Sequence, residues 1–276
     1  MLAVPLICPT LVAIAIAPGA QRALARGPLA ARNHRGRTIA APLGLPIVAA
    51  ALAGLALAAA LGGTAALAPA GAWAIPFACG AALLGLVDDA LGRGVHGWRA
   101  HAAALRTRRP DSGALKALGV PLLALGAMVL AGGGAARVLL GVGVLTLATH
   151  AVNLVDLRPG RAVKLLALLA TALALASGTI APLRALAPFA GPILVAGWLD
   201  LRERGMLGDC GAALLGAVAG IWLVLSLSLA GLAIALAALA ALAVYGEFRS
   251  ISALVDRAPL LRHLDWVGRP HDALEH

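Results

Sequence analysis

Charged side chains are scarce in this sequence, because Asp, Glu, Lys and Arg together make up 12% of the chain. Soluble domains carry about 25% charged residues, so an ordinary soluble domain is excluded. Hydrophobic residues instead make up 61% of the 276 positions, which indicates an integral membrane protein. Aromatic residues are also few, at 3%, whereas Ala, Leu and Gly are abundant. Small residues of this kind favour close packing of membrane helices.

Cysteine is equally rare, and Cys8, Cys79 and Cys210 lie far apart, mostly within apolar runs. An odd and dispersed set of this kind argues against a disulfide framework and against a zinc site. The one strong imbalance is a net charge of +10. We attribute this charge to loops that face the cytoplasm and anionic lipid headgroups, and we expect no nucleic-acid partner.

Apolar runs that are long enough, or nearly so, to cross a bilayer occur about nine times along the chain. They cover Leu2–Pro18, Pro42–Leu61, Gly71–Val87, Leu115–Ala131, Ala135–Val152, Val163–Ala176, Ala181–Leu199, Gly211–Leu227 and Ala230–Tyr245. The first run lacks a basic start and a good cleavage site, so we expect a span rather than a signal peptide. The sequence therefore predicts an all-α polytopic membrane domain over residues 1–246 and a cytoplasmic amphipathic tail over residues 247–276.

The connections between these runs alternate between charged and neutral. The charged ones are Gln21–Ala41, Asp88–Gly113, Asn153–Ala162, Asp200–Asp209 and the tail from Glu247. The positive-inside rule then places the amino terminus outside the cell membrane and the carboxyl terminus in the cytoplasm. The notable polar residues all fall on the cytoplasmic face, with no acid near a span centre and no internal repeat. This one-sided pattern argues against a transporter.

Three polar patches lie at the predicted cytoplasmic ends of spans. The first is Asp88-Asp89, and paired acids at a membrane edge are costly unless water, a cation or a partner compensates them. Two solvated acids are the alternative interpretation. The second patch is Asn153 with Asp156, a spacing that puts both on one helical face. The third is Asp209, where nearby glycines allow close approach of a ligand and an N-cap role is the alternative.

Magnesium prefers oxygen ligands, typically one or two carboxylates together with substrate phosphates. Any one of the three patches could be a helix cap or a solvated end. Because all three lie on one face, each at the end of a span, together they predict a magnesium–phosphate site. A cytoplasm-facing surface that handles a lipid fits this pattern.

The motifs Gly85–Asp89, Asn153–Asp156 and Leu207–Gly211 resemble, in order and spacing, those of the polyprenyl-phosphate N-acetylhexosamine-1-phosphate transferases. That family includes phospho-N-acetylmuramoyl-pentapeptide transferase, and the resemblance extends over most of the chain. Gly97–His101 and Ser112–Lys116 look like the family's loop after the paired acids and the helix start that follows. The resemblance implies a magnesium-dependent transfer of a sugar-1-phosphate from a UDP-sugar to undecaprenyl phosphate. Such enzymes act at the cytoplasmic membrane face in the synthesis of envelope polymers such as peptidoglycan.

The resemblance also implies roles for the acidic residues. Asp209 and Asp88 would bind magnesium, while Asp88 and Asp89 would handle the lipid phosphate, one of them as a general base. Asn153 would line the nucleotide-sugar pocket beside Asp156, which we include among the catalytic residues. A homodimer is compatible with this interpretation, although the sequence does not set the oligomeric state.

Four basic residues are the expected substrate contacts. Lys116, at a helix start, would contact phosphate, with snorkelling to the interface as the alternative. Arg158 and Arg161 would bind the donor near Pro159, which stands where the family usually has a second acid. We expect His101 to contact substrate from its loop; the alternative is that it is an ordinary polar loop residue.

Two further departures from the family pattern lie near the carboxyl terminus. Isolated His263 and His271 stand where the family has a histidine cluster, and the tail replaces its tenth span. With the proline after Asp156, these departures leave a second class open. In that class the chain is a non-catalytic relative that binds lipid phosphate as a scaffold in envelope assembly.

Overall fold

The computed structural model describes residues 3–33, 36–63, 69–91 and 112–269, which are about 80% helical. The first part comprises α1 (Ala3–Arg26), β1 (Ala31–Arg32), β2 (Thr38–Ile39), α2 (Gly44–Ala60), α3 (Gly71–Leu91) and α4 (Ser112–Ala131). It continues with α5 (Ala135–Val155), α6 (Arg161–Ser177), α7 (Leu183–Leu201), α8 (Gly208–Ser226) and α9 (Leu229–Phe248). Two short helices follow, α10 (Ile251–Arg257) and α11 (Pro259–Trp266). The two strands pair antiparallel as a small hairpin.

The expectation of an all-α membrane protein is confirmed. Within the described ranges, six helices are long and apolar enough to cross a membrane, namely α1, α3, α4, α5, α8 and α9. Helix α2 is apolar but shorter, with 17 residues. Each predicted apolar run coincides with one of the helices α1 to α9, whereas the number of crossings stays a prediction.

Several helices extend beyond the predicted ends of the runs. Helix α1 continues past Pro18 to Arg26, and α3 continues through the paired acids to Leu91. Hydropathy marks where the side chains stop being apolar, but backbone hydrogen bonding carries the helix on into the polar interface. Asp88 and Asp89 are therefore helical residues rather than loop residues.

Helix α8 lies at the centre of the fold, and 83% of its apolar stretch is buried inside the protein. It packs against α3, α5 and α6. Its small residues allow close contact, because a Cβ on Gly216 would lie 2.5 Å from the Cα of Thr149 on α5. Asp209 therefore lies at the amino terminus of a helix that packing holds firmly in place.

Within the described residues, the charged connections meet at one end of the helices, which we call the charged end. The backbone N–H of Met206 donates to the carbonyl of Ala40 at 2.8 Å, and the N–H of Leu43 donates to the carbonyl of Met206 at 2.8 Å. These bonds join the segment after α1 to the segment after α7. At the opposite end, the guanidinium of Arg137 donates to the carbonyl of Val224 at the end of α8 at 2.7 Å. The sequence thus separates two ends of the bundle, whereas their orientation in a membrane stays a prediction.

Candidate functional site

Three helices bring Asp88, Lys116 and Asp209 together at the charged end. The ammonium of Lys116, in the second turn of α4, donates to Oδ1 of Asp209 at 3.0 Å. The same nitrogen lies 3.6 Å from Oδ2 of Asp88, near the end of α3. Ser112 adds a hydroxyl that donates to Oδ1 of Asp88 at 2.6 Å. We call Asp88, Asp89, Lys116 and Asp209 the acid–lysine cluster.

Asp89 has a different environment from its neighbour. Its Oδ1 accepts from the backbone N–H of Asp209 at 2.9 Å, and its Oδ2 accepts from the N–H of Cys210 at 2.8 Å. The N-cap residue Leu207 makes no side-chain capping bond, so Asp89 satisfies the first amides of α8 from another helix. A carboxylate is also favoured there by the helix dipole. Asp89 therefore positions α8, and the side chain of Asp209 faces Lys116 instead of capping its own helix.

Two glycines make this contact between α3 and α8 feasible. A Cβ on Gly85 would lie 2.3 Å from the carbonyl oxygen of Asp209. Gly208 has a φ of +68°, and a Cβ there would lie 2.9 Å from Oδ2 of Asp89. From the sequence, the glycines around Asp209 are expected to allow the approach of a ligand. In the structure the groups that approach Gly208 are the side chain of Pro42 and the carboxylate of Asp89.

Asp88 and Asp209, the two predicted magnesium ligands, share the ammonium of Lys116 as their cation in the structure. Asp88 and Asp209 direct carboxylate oxygens at one cationic nitrogen, so both could face a single metal ion. Among the described residues, no group of three or more His, Cys, Asp or Glu side chains is arranged to hold a metal. Two carboxylates completed by substrate phosphates and water is a common magnesium arrangement.

Asn153 and Asp156 lie at the end of α5, which packs against α8. Both are half-buried. Burial and the negative charges of Asp200 and Asp209 raise the pKa of Asp156 to about 8, against a smaller opposing effect of Arg161. This raised pKa favours the protonated form of the Asp156 carboxyl group. In that form the group can donate a hydrogen bond, whereas an ionised carboxylate only accepts.

The two predicted donor-binding arginines contact the tail. Arg158 donates from both terminal nitrogens to Asp256, each at 2.8 Å. Arg161 donates to the two oxygens of Asp265 at 2.8 and 3.1 Å. The structure thus pairs these arginines with acids of the tail rather than with members of the acid–lysine cluster. Their role toward a donor stays a prediction, and His101 lies outside the described residues.

Three polar residues of the charged end were not among the predicted site residues. They are Ser112, which binds Asp88; Asp200, which is buried and accepts from the N–H of Gly160 at 2.7 Å; and Asp265. Asp200 directly follows an apolar run, as Asp88 does, so the signal that identified Asp88 could also have identified Asp200. Ser112 opens the Ser112–Lys116 motif, which could have drawn attention to it, whereas nothing in the local sequence distinguishes Asp265 from other polar residues.

Comparison of the sequence with protein-family models and with curated proteins finds no match. The candidate site is therefore interpreted from its own geometry and from the motifs described above. What is established is the class: a helical membrane protein with six candidate membrane-spanning helices among the described residues.

Proposed function

We propose that this protein transfers a sugar-1-phosphate from a UDP-sugar to a polyprenyl phosphate such as undecaprenyl phosphate. The observation that supports it is that Asp88 and Asp209, from separate helices, face one cation. Joining a lipid phosphate to a nucleotide diphosphate concentrates negative charge, so such a site needs cations and positioned donors. The motifs that contain Asp88, Asn153 and Asp209 also carry the family resemblance.

The reaction would proceed by attack of a lipid phosphate oxygen on the phosphorus next to the sugar. A new pyrophosphate bond forms to that phosphorus, its bond to the bridging oxygen breaks, and UMP leaves with that oxygen. Lys116 supplies a fixed positive charge for these phosphates. Asp88 and Asp209 would hold Mg²⁺, which supplies charge neutralisation when bound. The carboxyl group of Asp156 would line the donor pocket beside the amide of Asn153.

The proposal includes the membrane arrangement. Nine crossings with the charged end in the cytoplasm would place the acid–lysine cluster where nucleotide sugars are available. A reporter fused after His276 is expected to be cytoplasmic, and one inserted within residues 62–70 is expected to be external. If both reporters lie in the same compartment, the number of crossings between them is even, which contradicts the nine-crossing arrangement.

The function is tested with purified protein, undecaprenyl phosphate and a panel of labelled nucleotide sugars. We expect a labelled lipid product and UMP in equal amounts, formed with Mg²⁺ and lost when a chelator removes it. The competing class is a lipid-phosphate-binding scaffold, which the pairing of Arg158 and Arg161 with tail acids favours. Binding of undecaprenyl phosphate without transfer from any donor would overturn the enzyme and support that scaffold.

A further inference from the structure

The carboxyl-terminal segment of residues 249–269, which we call the strap, is held to the charged end by its polar face. Asp265 of α11 is 4% exposed and lies against the guanidinium groups of Arg161, Arg158 and Arg269. The ammonium of Lys164 donates to the carbonyl of Asp265 at 2.6 Å. These contacts fix which side of α11 faces the protein.

Apolar residues of α11 lie on the side of the helix away from Asp265. Leu260 and Leu264 are spaced i and i+4 on one side of α11, and Val267 follows directly after the helix end, so the three form an apolar stripe. Leu260 is 72% exposed and Val267 is 52% exposed. At about 100° per residue, Asp265 lies about 140° around the helix from Leu260. The strap therefore turns its buried acid inward and an apolar stripe outward, the reverse of a helix on a soluble protein.

We propose that the strap binds the surface of the bilayer that holds this protein. Its apolar stripe would lie at the boundary of headgroups and acyl chains, and its arginines would contact anionic lipid headgroups. The arginines suited to this are exposed and lie along the strap: Arg249 and Arg257.

The position of the strap in the chain identifies the bilayer as its partner. Helix α9 is apolar, only 6% of its apolar stretch is buried within the protein, and it ends at Phe248. Helix α10 begins at Ile251, so the strap starts where a candidate membrane span ends. Phe248 is itself 61% exposed, which continues the apolar surface from the span into the strap. A positive, apolar surface at that level complements an anionic membrane surface.

This arrangement would attach a loop of the candidate site to the membrane. Arg158 and Arg161 follow the end of α5, close in sequence to Asn153 and Asp156, and both contact the strap. A strap bound to lipid would hold that loop at the height of the headgroups. The inference about lipid binding stands without the proposed transfer reaction, because it depends on the strap alone.

The test uses the full chain in vesicles of phosphatidylcholine and phosphatidylglycerol, with Cys8, Cys79 and Cys210 replaced by alanine. An environment-sensitive fluorophore is attached at Leu260→Cys in one variant and at Arg262→Cys in a matched control. The control position lies about 160° around the same helix. We expect nitroxide-labelled lipids to quench the probe at position 260 much more than the probe at 262. In pure phosphatidylcholine the quenching at 260 should fall.

Two further measurements make the outcome decisive. A probe at Val267→Cys on the same stripe should be quenched like the probe at 260, which covers the case in which one variant fails to fold. Asp265→Asn, which weakens the inward contact, should reduce the difference between positions 260 and 262. Equal quenching at 260 and 262 with Asp265 intact would overturn the proposal. Protection of position 260 by a second copy, seen as concentration-dependent burial without lipid quenching, would also overturn it.

Discussion

Asp209→Asn is expected to lower magnesium-dependent transfer by at least about a hundredfold, or about 2.7 kcal/mol of barrier. The substitution keeps the shape of the side chain but removes the negative charge that faces Lys116 at 3.0 Å. The fold should survive, because the amide groups at the start of α8 are held by Asp89 rather than by the side chain of Asp209. The rate is measured with saturating undecaprenyl phosphate and UDP-sugar.

A matched control is Asp256→Asn, which removes a carboxylate from the same end of the protein. The side chain of Asp256 is 43% exposed and pairs with Arg158, away from the acid–lysine cluster. We expect this variant to keep most of its transfer rate. A loss of less than about tenfold in Asp209→Asn, with the same thermal stability as wild type, would contradict the metal-ligand role.

The positions of the helices could be predicted because a membrane imposes one simple rule. Backbone groups in hydrocarbon must be satisfied within the segment, so a long apolar run is helical. The convergence of Asp88 and Asp209 was likewise predictable, because each lies at the predicted cytoplasmic end of its span. Lys116 was singled out by its position at a helix start, and the structure places it between them.

The different environments of Asp88 and Asp89 could not be predicted. Adjacent residues on a helix point about 100° apart, and nothing in the sequence sets the rotation of α3 relative to α8. The structure turns Asp89 toward the amides of α8 and Asp88 toward Lys116. The ion pair between Arg161 and Asp265 could not be predicted either. The two residues are 104 positions apart in the sequence, and only tertiary folding brings them together.

Gly85→Ala is expected to destabilise the protein by about 1–3 kcal/mol and to reduce transfer as well. The added Cβ would lie 2.3 Å from the carbonyl oxygen and 2.6 Å from the carbonyl carbon of Asp209. Both are backbone atoms, so no side chain can rotate away, and α3 and α8 must separate. That separation would lengthen the contacts of Asp89 with the start of α8 and displace Asp209 from Lys116.

The matched control is Gly126→Ala on α4, where a Cβ would meet nothing within 4 Å. Alanine has a higher helix propensity than glycine by about 1 kcal/mol, so this variant should be as stable as wild type or slightly more stable. Thermal unfolding in detergent and the transfer rate are measured for both variants. Equal melting temperatures and rates for the two alanine variants would contradict the close contact of α3 with α8. A lower melting temperature and a lower rate in Gly85→Ala alone would link the geometry of the acid–lysine cluster to this one helix contact.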